Sequence, residues 1–284
     1  MTSIVIPAHN EGRVIGRLLD ALLSQAAEDE MDIVVVCNGC TDDTAQVAGL
    51  RGAGVRVVEI PTPSKHVALR VGDEHARGFP RIYVDADVVI TTSDVRVLTN
   101  ALAEGSEVLA AAPGRDLPLK DCAWRVRAYY RVWQRLPAVR AGLFGRGVIA
   151  VSEPGHQRLA ALPPLMADDL AASLAFGPDE RRVVEEARVV VLPPRTWADL
   201  IKRRIRAVTS SAQLEHHQVQ SGQTAPPSAR TGKADLLTLL RAEPRLFPGV
   251  LVFVAAAVVA KRGAAKAIRT QDFGTWLRDE SSRQ

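Results

Sequence analysis

Asp85-Ala86-Asp87 is the pattern in this chain best suited to chemistry. It sets two carboxylates two residues apart, directly after a short apolar, strand-like run, Arg81 to Val84. On a turn, both carboxylates reach one hard cation, or one takes the cation and the other a ribose hydroxyl. Mg²⁺ and Mn²⁺ favour such sites, where few protein carboxylates leave room for phosphate oxygens. The bland alternative is a solvated acidic turn; the place at the end of a buried-type strand favours function. A second acidic pair, Asp168-Asp169, lies in a segment from Ala167 to Phe176 that opens a helix. Asp168 there suits a helix N-cap. Three other features lean to plain readings. Cys37-Asn38-Gly39-Cys40 has redox or half-zinc spacing, but no second Cys or Cys/His pair accompanies it, and a glycine-centred turn from strand to helix explains it. Glu215-His216-His217 reads as a solvated helix end, and Tyr129, Tyr130 and Trp133 as core, with part available to an acceptor pocket.

The elements that must position these residues are legible from periodicity. Ser3 to Pro7, Ile33 to Val36, Val55 to Ile60 and Arg81 to Val84 read as strands. Between them, Val14, Ile15, Leu18, Leu19, Leu22 and Leu23 recur at helical spacing, Asp42 and Asp43 suit a helix start, and Val67 to Arg77 reads as a helix. Such alternation predicts an α/β fold with a mostly parallel sheet and helices on both faces. Ligands in these folds bind beyond the carboxyl ends of the strands, where Asn38, Asp85 and Asp87 lie. Further on, Leu109 to Pro113 and Arg188 to Leu192 are expected strands. Cys122 to Leu136 is an aromatic-rich helix, Gly142 to Ser152 a glycine-rich stretch and Trp197 to Leu214 a basic helix.

Four of these features, with two further segments, make a resemblance. Ile4-Val5-Ile6-Pro7-Ala8-His9-Asn10-Glu11 is similar to the opening signature of the family-two glycosyltransferases of GT-A fold. Val36 to Thr44 resembles their second-strand motif, and Ser64-Lys65-His66-Val67-Ala68-Leu69 their lysine-containing helix start. Asp85-Ala86-Asp87 matches their metal motif in spacing and order. Gly145-Arg146-Gly147-Val148-Ile149-Ala150 resembles the acceptor segment, and Ala167-Asp168-Asp169-Leu170 the acidic pair with the base. Each motif is weak alone; six in the right order, over about residues 3 to 215, are not.

The resemblance implies roles. Pro7, His9 and Glu11 would line the nucleotide pocket, Asn38 would face the base, and Lys65 would lie near the nucleotide. Asp85 would sit near ribose and metal, with Asp87 on the metal, which would be Mg²⁺ or Mn²⁺. Gly145, Arg146 and Gly147 would be acceptor-side, and Asp169 would be the base with Asp168 in support. Arg203, Arg204 and Arg206 stand where relatives carry an Arg/Gln-rich motif near the diphosphate. Asn38 stands where an aspartate often reads a uracil N–H, and Arg70 where Asn is usual. No Gln-x-x-Arg-Trp is present, which argues against a processive synthase. The implied activity is inverting transfer of a sugar from a nucleoside-diphosphate sugar to a glycan or lipid-linked acceptor in cell-envelope or polysaccharide synthesis. A non-catalytic nucleotide-sugar or glycan-binding protein on the same fold is the alternative.

Composition bounds the rest. The 284 residues are 47% hydrophobic and 24% charged, which excludes bulk disorder and fibrous repeats. Three cysteines make no disulfide framework, and the opening MTSIVIP lacks a secretory pattern, so the expected compartment is the cytoplasm. The net charge is +4, and from Arg241 onward eight Lys/Arg face four Asp/Glu, so the excess lies in the tail. A nucleic-acid-binding body would be basic itself, so no nucleic-acid partner is expected. Leu246 to Ala260 is an uncharged apolar run followed by Lys261, Arg262, Lys266 and Arg269. It is short for a span and, with its cations, predicts peripheral contact through 246–269 with the inner face of the cell membrane; a buried core helix is the alternative. The expected organisation is a GT-A domain over 1–217, a flexible linker over 218–235 and an apolar, basic helical extension over 236–284.

Overall fold

The structure is a computed structural model that describes residues 1–103, 105–162, 168–220 and 231–270. In chain order, its first elements are β1 (Thr2–Ala8), α1 (Gly12–Leu23), β2 (Met31–Asn38), α2 (Thr44–Gly49), β3 (Val55–Ile60), α3 (Lys65–His75), β4 (Arg81–Val84), β5 (Val88–Val89), α4 (Thr92–Ala101) and β6 (Ala110–Asp116). Next come α5 (Trp124–Trp133), α6 (Pro137–Ala141), β7 (Val148–Val151), α7 (Glu153–Ala160), α8 (Asp168–Leu174), β8 (Arg181–Val191), α9 (Trp197–Gln220), α10 (Lys233–Ala242) and α11 (Phe247–Thr270).

The strands join in one sheet of order β3-β2-β1-β4-β7-β6-β8-β5. The first four are parallel; β7 is antiparallel to both β4 and β6, β8 is parallel to β6, and β5 antiparallel to β8. The pleat explains the unbroken apolar runs. Ile33, Val35 and Cys37 face one way, into a core with Ile15, Leu18, Leu19 and Leu22 of α1. Val34 and Val36 face the other way, against Ala68 and Val71 of α3. A sheet buried on both faces has no polar alternation to show. Gly72 lets α3 lie close on β1, since a Cβ there would stand 2.3 Å from Val5 Cγ1. The chain's order along the sheet reverses between β1 and β4, which makes their carboxyl ends the switch point of the topology.

Two compact units make up the chain. One comprises Met1–Leu117, Leu143–Pro163 and Ala175–Leu192, and contains the whole sheet with α1 to α4 and α7. The other comprises Pro118–Gly142, Pro164–Leu174 and Pro193–Gln284, and is helical in its described residues. In this second unit α11 packs against α5 and α9. The Tyr129 and Phe253 rings stack at 5.1 Å, and a Cβ on Gly249 would lie 3.1 Å from Val132 Cγ2.

Several expected boundaries move. α3 covers Lys65–His75 rather than Val67 to Arg77, because the Ser64 hydroxyl caps it by accepting from Val67 N–H. The glycine-rich stretch contains β7, and β8 begins at Arg181 rather than Arg188, with exposed polar residues in its first half. β5, α4, α6 and α7 were not expected. Of the polar segment 218–235, residues 218–220 end α9 and 233–235 begin α10, while 221–230 lie outside the described residues.

Candidate functional site

The ends of β1 and β2 are locked to each other. They run in register with Ala8 opposite Cys37. The Asn38 side chain, 3% exposed, donates from Nδ2 to the Ala8 carbonyl at 2.8 Å. The His9 ring donates from Nδ1 to the Asn38 carbonyl at 2.6 Å, because a carbonyl can only accept. The turn that follows is tight. Gly39 has φ +58, and a Cβ there would meet the Pro63 nitrogen at 2.9 Å. Asn10, also left-handed at φ 53, accepts on Oδ1 from Thr41 N–H at 2.8 Å. Glu11 is buried, and its N–H donates to Thr44 Oγ1 at 2.8 Å. Pro7 is buried within β1. The expected pocket residues Pro7, His9, Glu11 and Asn38 thus stand together.

The end of β4 carries the acidic triplet. Ala86 is buried while Asp85 and Asp87 on either side of it are half-buried. Lys65, the first residue of α3, reaches Asp85 with Nζ 2.8 Å from Oδ1. The Asp85 N–H donates to the Gly147 carbonyl at 2.7 Å. Gly147 has φ +66, and a Cβ there would lie 2.5 Å from Val88 Cγ1 and 3.3 Å from Asp85 Oδ2. Lys65, Asp85 and Gly147 are therefore one cluster. Arg146 beside it is only 2% exposed and donates from Nη1 to the Pro113 carbonyl at 2.8 Å. Burial pushes its guanidinium down to about 10, against the opposing pull of Glu185. Sequence reasoning missed Arg115, whose Nη1 donates to the Phe144 carbonyl at 3.2 Å and so braces the Gly145 turn. No motif marks it; only the β6–β7 pairing brings it there.

Asp168, Asp169, Arg203 and Arg206 belong to the second unit. Asp169 is exposed at the start of α8 and its Oδ1 accepts from Leu170 N–H at 2.8 Å; the Asp168 side chain lies outside the described residues. Arg203 and Arg206 are half-buried on α9, and Arg204 lies 5.9 Å from the Tyr129 ring centroid. Tyr129 and Tyr130 are buried, Tyr130 edge-on to Trp133 at 5.5 Å, which is core packing. Cys37 and Cys40 are free thiols; burial pushes Cys37 up to about 12, which makes it a poor thiolate. Cys40 Sγ instead serves the turn, accepting from Asn10 N–H and donating to the Ala8 carbonyl, both at 3.4 Å.

Among the described residues, no group of three or more His, Cys, Asp or Glu side chains could hold a metal. The hard oxygen donors of Asp85 and Asp87 nevertheless suit a divalent cation that takes its remaining ligands from phosphate and water.

The sequence profile described as Glycosyl transferase family 2 matches residues 3–152, from the start of β1 to the end of β7. The chain belongs to glycosyl transferase family 2. This family-two chain is 38% identical over 103 residues to the 4,4'-diaponeurosporenoate glycosyltransferase of Staphylococcus aureus strain USA300. That match covers 34% of this chain and 27% of the relative, so the chain spans only about a quarter of the curated relatives it matches. Its fold is similar to a mannosyltransferase from Pyrobaculum calidifontis solved with GDP-Man and Mn²⁺: TM-score 0.61, 22% identity, 97% of this chain and 76% of that one covered. It is also similar to a Mycobacterium tuberculosis glucosyl-3-phosphoglycerate synthase complex with Mn²⁺, UDP-Glc and phosphoglyceric acid, at TM-score 0.56 and 19% identity, covering 79% and 80%. At these identities the likeness establishes the GT-A fold of this family-two chain.

Proposed function

We propose that this chain is a metal-dependent, inverting glycosyltransferase. It moves a sugar from a nucleoside-diphosphate sugar to a glycan or lipid-linked acceptor, in cell-envelope or polysaccharide synthesis. The observation that carries the reading is the Lys65–Asp85–Gly147 cluster at the end of β4, beside the locked His9–Asn38 turn, at the sheet's switch point. GT-A neighbours solved with GDP-Man or UDP-Glc and Mn²⁺ support it.

The roles follow from residue chemistry. Pro7, His9, Glu11 and Asn38 bind the nucleoside, with Lys65 near the phosphates. Asp85 and Asp87 hold Mg²⁺ or Mn²⁺, which when bound neutralises charge on the departing diphosphate. Asp85 has the ribose as a second partner. Arg203 and Arg206 add positive charge toward the diphosphate. Gly145, Arg146 and Gly147 shape the acceptor side. Asp169, supported by Asp168, takes the acceptor hydroxyl proton as that oxygen bonds to the anomeric carbon and the bond to the diphosphate breaks on the opposite face, which inverts the centre. The paired acids favour an enzyme over a binding protein on the same fold. A panel of nucleotide sugars with Mn²⁺, scored by released nucleotide, tests this. Turnover supports transfer; tight binding without turnover favours the binding protein.

The proposal extends to the membrane. Residues Pro244–Ala265 form a helical stretch long and apolar enough to cross a bilayer, yet only 22% of its most apolar part is buried. The inner face of α11 is built from Val250, Phe253, Ala256, Ala260 and Ala264, whereas Phe247, Leu251, Val254, Val258 and Val259 are exposed. Large apolar side chains outward and mostly small ones inward reverse a soluble helix's arrangement. We read this face as lying on the cytoplasmic leaflet, with Lys261, Arg262 and Arg269 among anionic headgroups. The contact keeps a cytoplasmic enzyme near a lipid-linked acceptor. The tail from 236 onward is then an anchor attached to the catalytic residues 1–217 through the segment 218–235.

A further inference from the structure

We propose that the base-reading corner of this donor site is built for guanine, with Asn38 and His9 as its specificity-determining residues. The inference rests on the nucleotide-sugar reading above and deepens it.

It starts from what the His9–Asn38 clasp uses up. The Asn38 amide nitrogen is aimed at the Ala8 carbonyl, which fixes the amide's orientation and leaves Oδ1 on the other side. The His9 Nδ1–H is aimed at the Asn38 carbonyl, which fixes the tautomer of the neutral ring and leaves a lone pair on Nε2. Each residue therefore has an acceptor left to offer. Nearby backbone donors are engaged: Gly39 N–H on the Ile60 carbonyl at 2.8 Å, Asn10 N–H on Cys40 Sγ at 3.4 Å, and Thr41 N–H on Asn10 Oδ1 at 2.8 Å. Asn38 is buried and its strand is in register with β1, so the amide cannot flip without unmaking the turn.

Two acceptors carried by one hydrogen-bonded pair of residues select among bases by counting donors. Guanine presents N1–H beside an N2 amino group, two neighbouring donors on one edge. Uracil has a single N–H between two carbonyls. Adenine and cytosine each set an amino group beside a ring-nitrogen lone pair. Against Asn38 Oδ1 and His9 Nε2, all but guanine place at least one lone pair against another. A site built to hydrogen-bond a group rejects strongly the analogue that lacks it, because its own polar atoms are then desolvated and unpaired. An aspartate in place of Asn38 could not donate to the Ala8 carbonyl, so the amide is what allows the clasp to form.

The test is titration calorimetry of the full chain with Mn²⁺ against GDP, IDP, UDP, ADP and CDP. GDP should bind tightest, by about tenfold or more over UDP, ADP and CDP. IDP keeps N1–H and lacks the N2 amino group, so it should fall between GDP and UDP. His9→Phe removes both ring nitrogens and leaves the Asn38 amide on the Ala8 carbonyl; it should narrow the GDP-to-UDP ratio, with a thermal melt to verify folding. UDP, ADP or CDP binding as tightly as GDP, or a GDP-to-UDP ratio untouched by His9→Phe, overturns the guanine assignment and leaves the donor site standing. Failure of all five diphosphates to bind overturns the nucleotide-sugar reading itself, and this inference with it.

Discussion

Removing the Asp87 carboxylate should abolish the divalent-ion dependence of nucleotide-sugar binding. Asp85 alone, already paired with Lys65 Nζ at 2.8 Å, is a poor single ligand for a hard cation. Calorimetry on Asp87→Ala with and without Mn²⁺ measures this; undiminished Mn²⁺-dependent binding would refute the assignment. Asp169→Asn separates chemistry from binding. The amide keeps the shape and loses the proton acceptor, so turnover should fall by about 10²–10⁴-fold while donor affinity stays within a few-fold. An active Asp169→Asn beside an inactive Asp168→Asn would mean that the base is the other member of the pair.

At the scale of elements, two features of the sheet unit make opposed small effects decidable. Gly72 lies inside α3, where Ala is favoured over Gly by about 1 kcal/mol. A Cβ there would sit 2.3 Å from Val5 Cγ1, in a closely packed strand–helix contact, and overpacking costs typically 1–3 kcal/mol. The clash should win, so Gly72→Ala should lower the urea midpoint although it raises helix propensity. Asp32 ties β2 to the α3–β4 connection. Burial pushes its carboxyl up, but hydrogen bonds from the Arg77 N–H and Ser3 hydroxyl, both 2.9 Å, and from the Arg56 guanidinium outweigh that and hold it below the ordinary range. A folded-state pKa below the unfolded one contributes stability that is complete above the unfolded value, about 3.9, and is lost as pH falls through the folded value. Asp32→Asn should therefore be clearly less stable than the parent at pH 7, and the gap should shrink below about pH 4. Denaturation midpoints at the two pH values check the sign; a gap that widens on acidification would contradict it.

For the molecule as a whole, the proposed membrane contact has the largest consequence for which acceptors it meets. Val254 and Val258 are 42% and 43% exposed on the outer face of α11, so replacing both by Asp should leave folding intact. The variant should lose co-sedimentation with vesicles of mixed neutral and anionic lipid. Lys261→Glu with Arg262→Glu should keep some binding but lose the preference for anionic over neutral vesicles, each cation being worth about 1 kcal/mol near such a surface. If the parent protein stays in the supernatant with both vesicle types, α11 is not a membrane element.

What the amino-acid order determined by itself is mostly local. Strand-to-helix alternation, an Asp-x-Asp after a buried-type run and a glycine turn after β2 each depend on side-chain type and spacing within a few residues. They were enough to expect the α/β sheet and the residues at its carboxyl ends. Tertiary structure decided what depends on partners far along the chain. β7 is a strand because the antiparallel neighbours β4 and β6 flank a stretch whose glycines read as a loop. The first half of β8 was missed because its exposed polar residues carry little apolar periodicity, and it is β6 that pairs with it. Lys65 meets Asp85, and Arg115 braces the Phe144–Gly145 turn, only through folding. The apolar run near the carboxyl end was visible in the sequence. Which of its faces is buried was not, because that depends on α5 and α9 taking the side with Val250, Phe253, Ala256, Ala260 and Ala264 and leaving Val254, Val258 and Val259 outward. The tautomer of His9 and the orientation of the Asn38 amide were settled last, by two backbone carbonyls that no local pattern could have named.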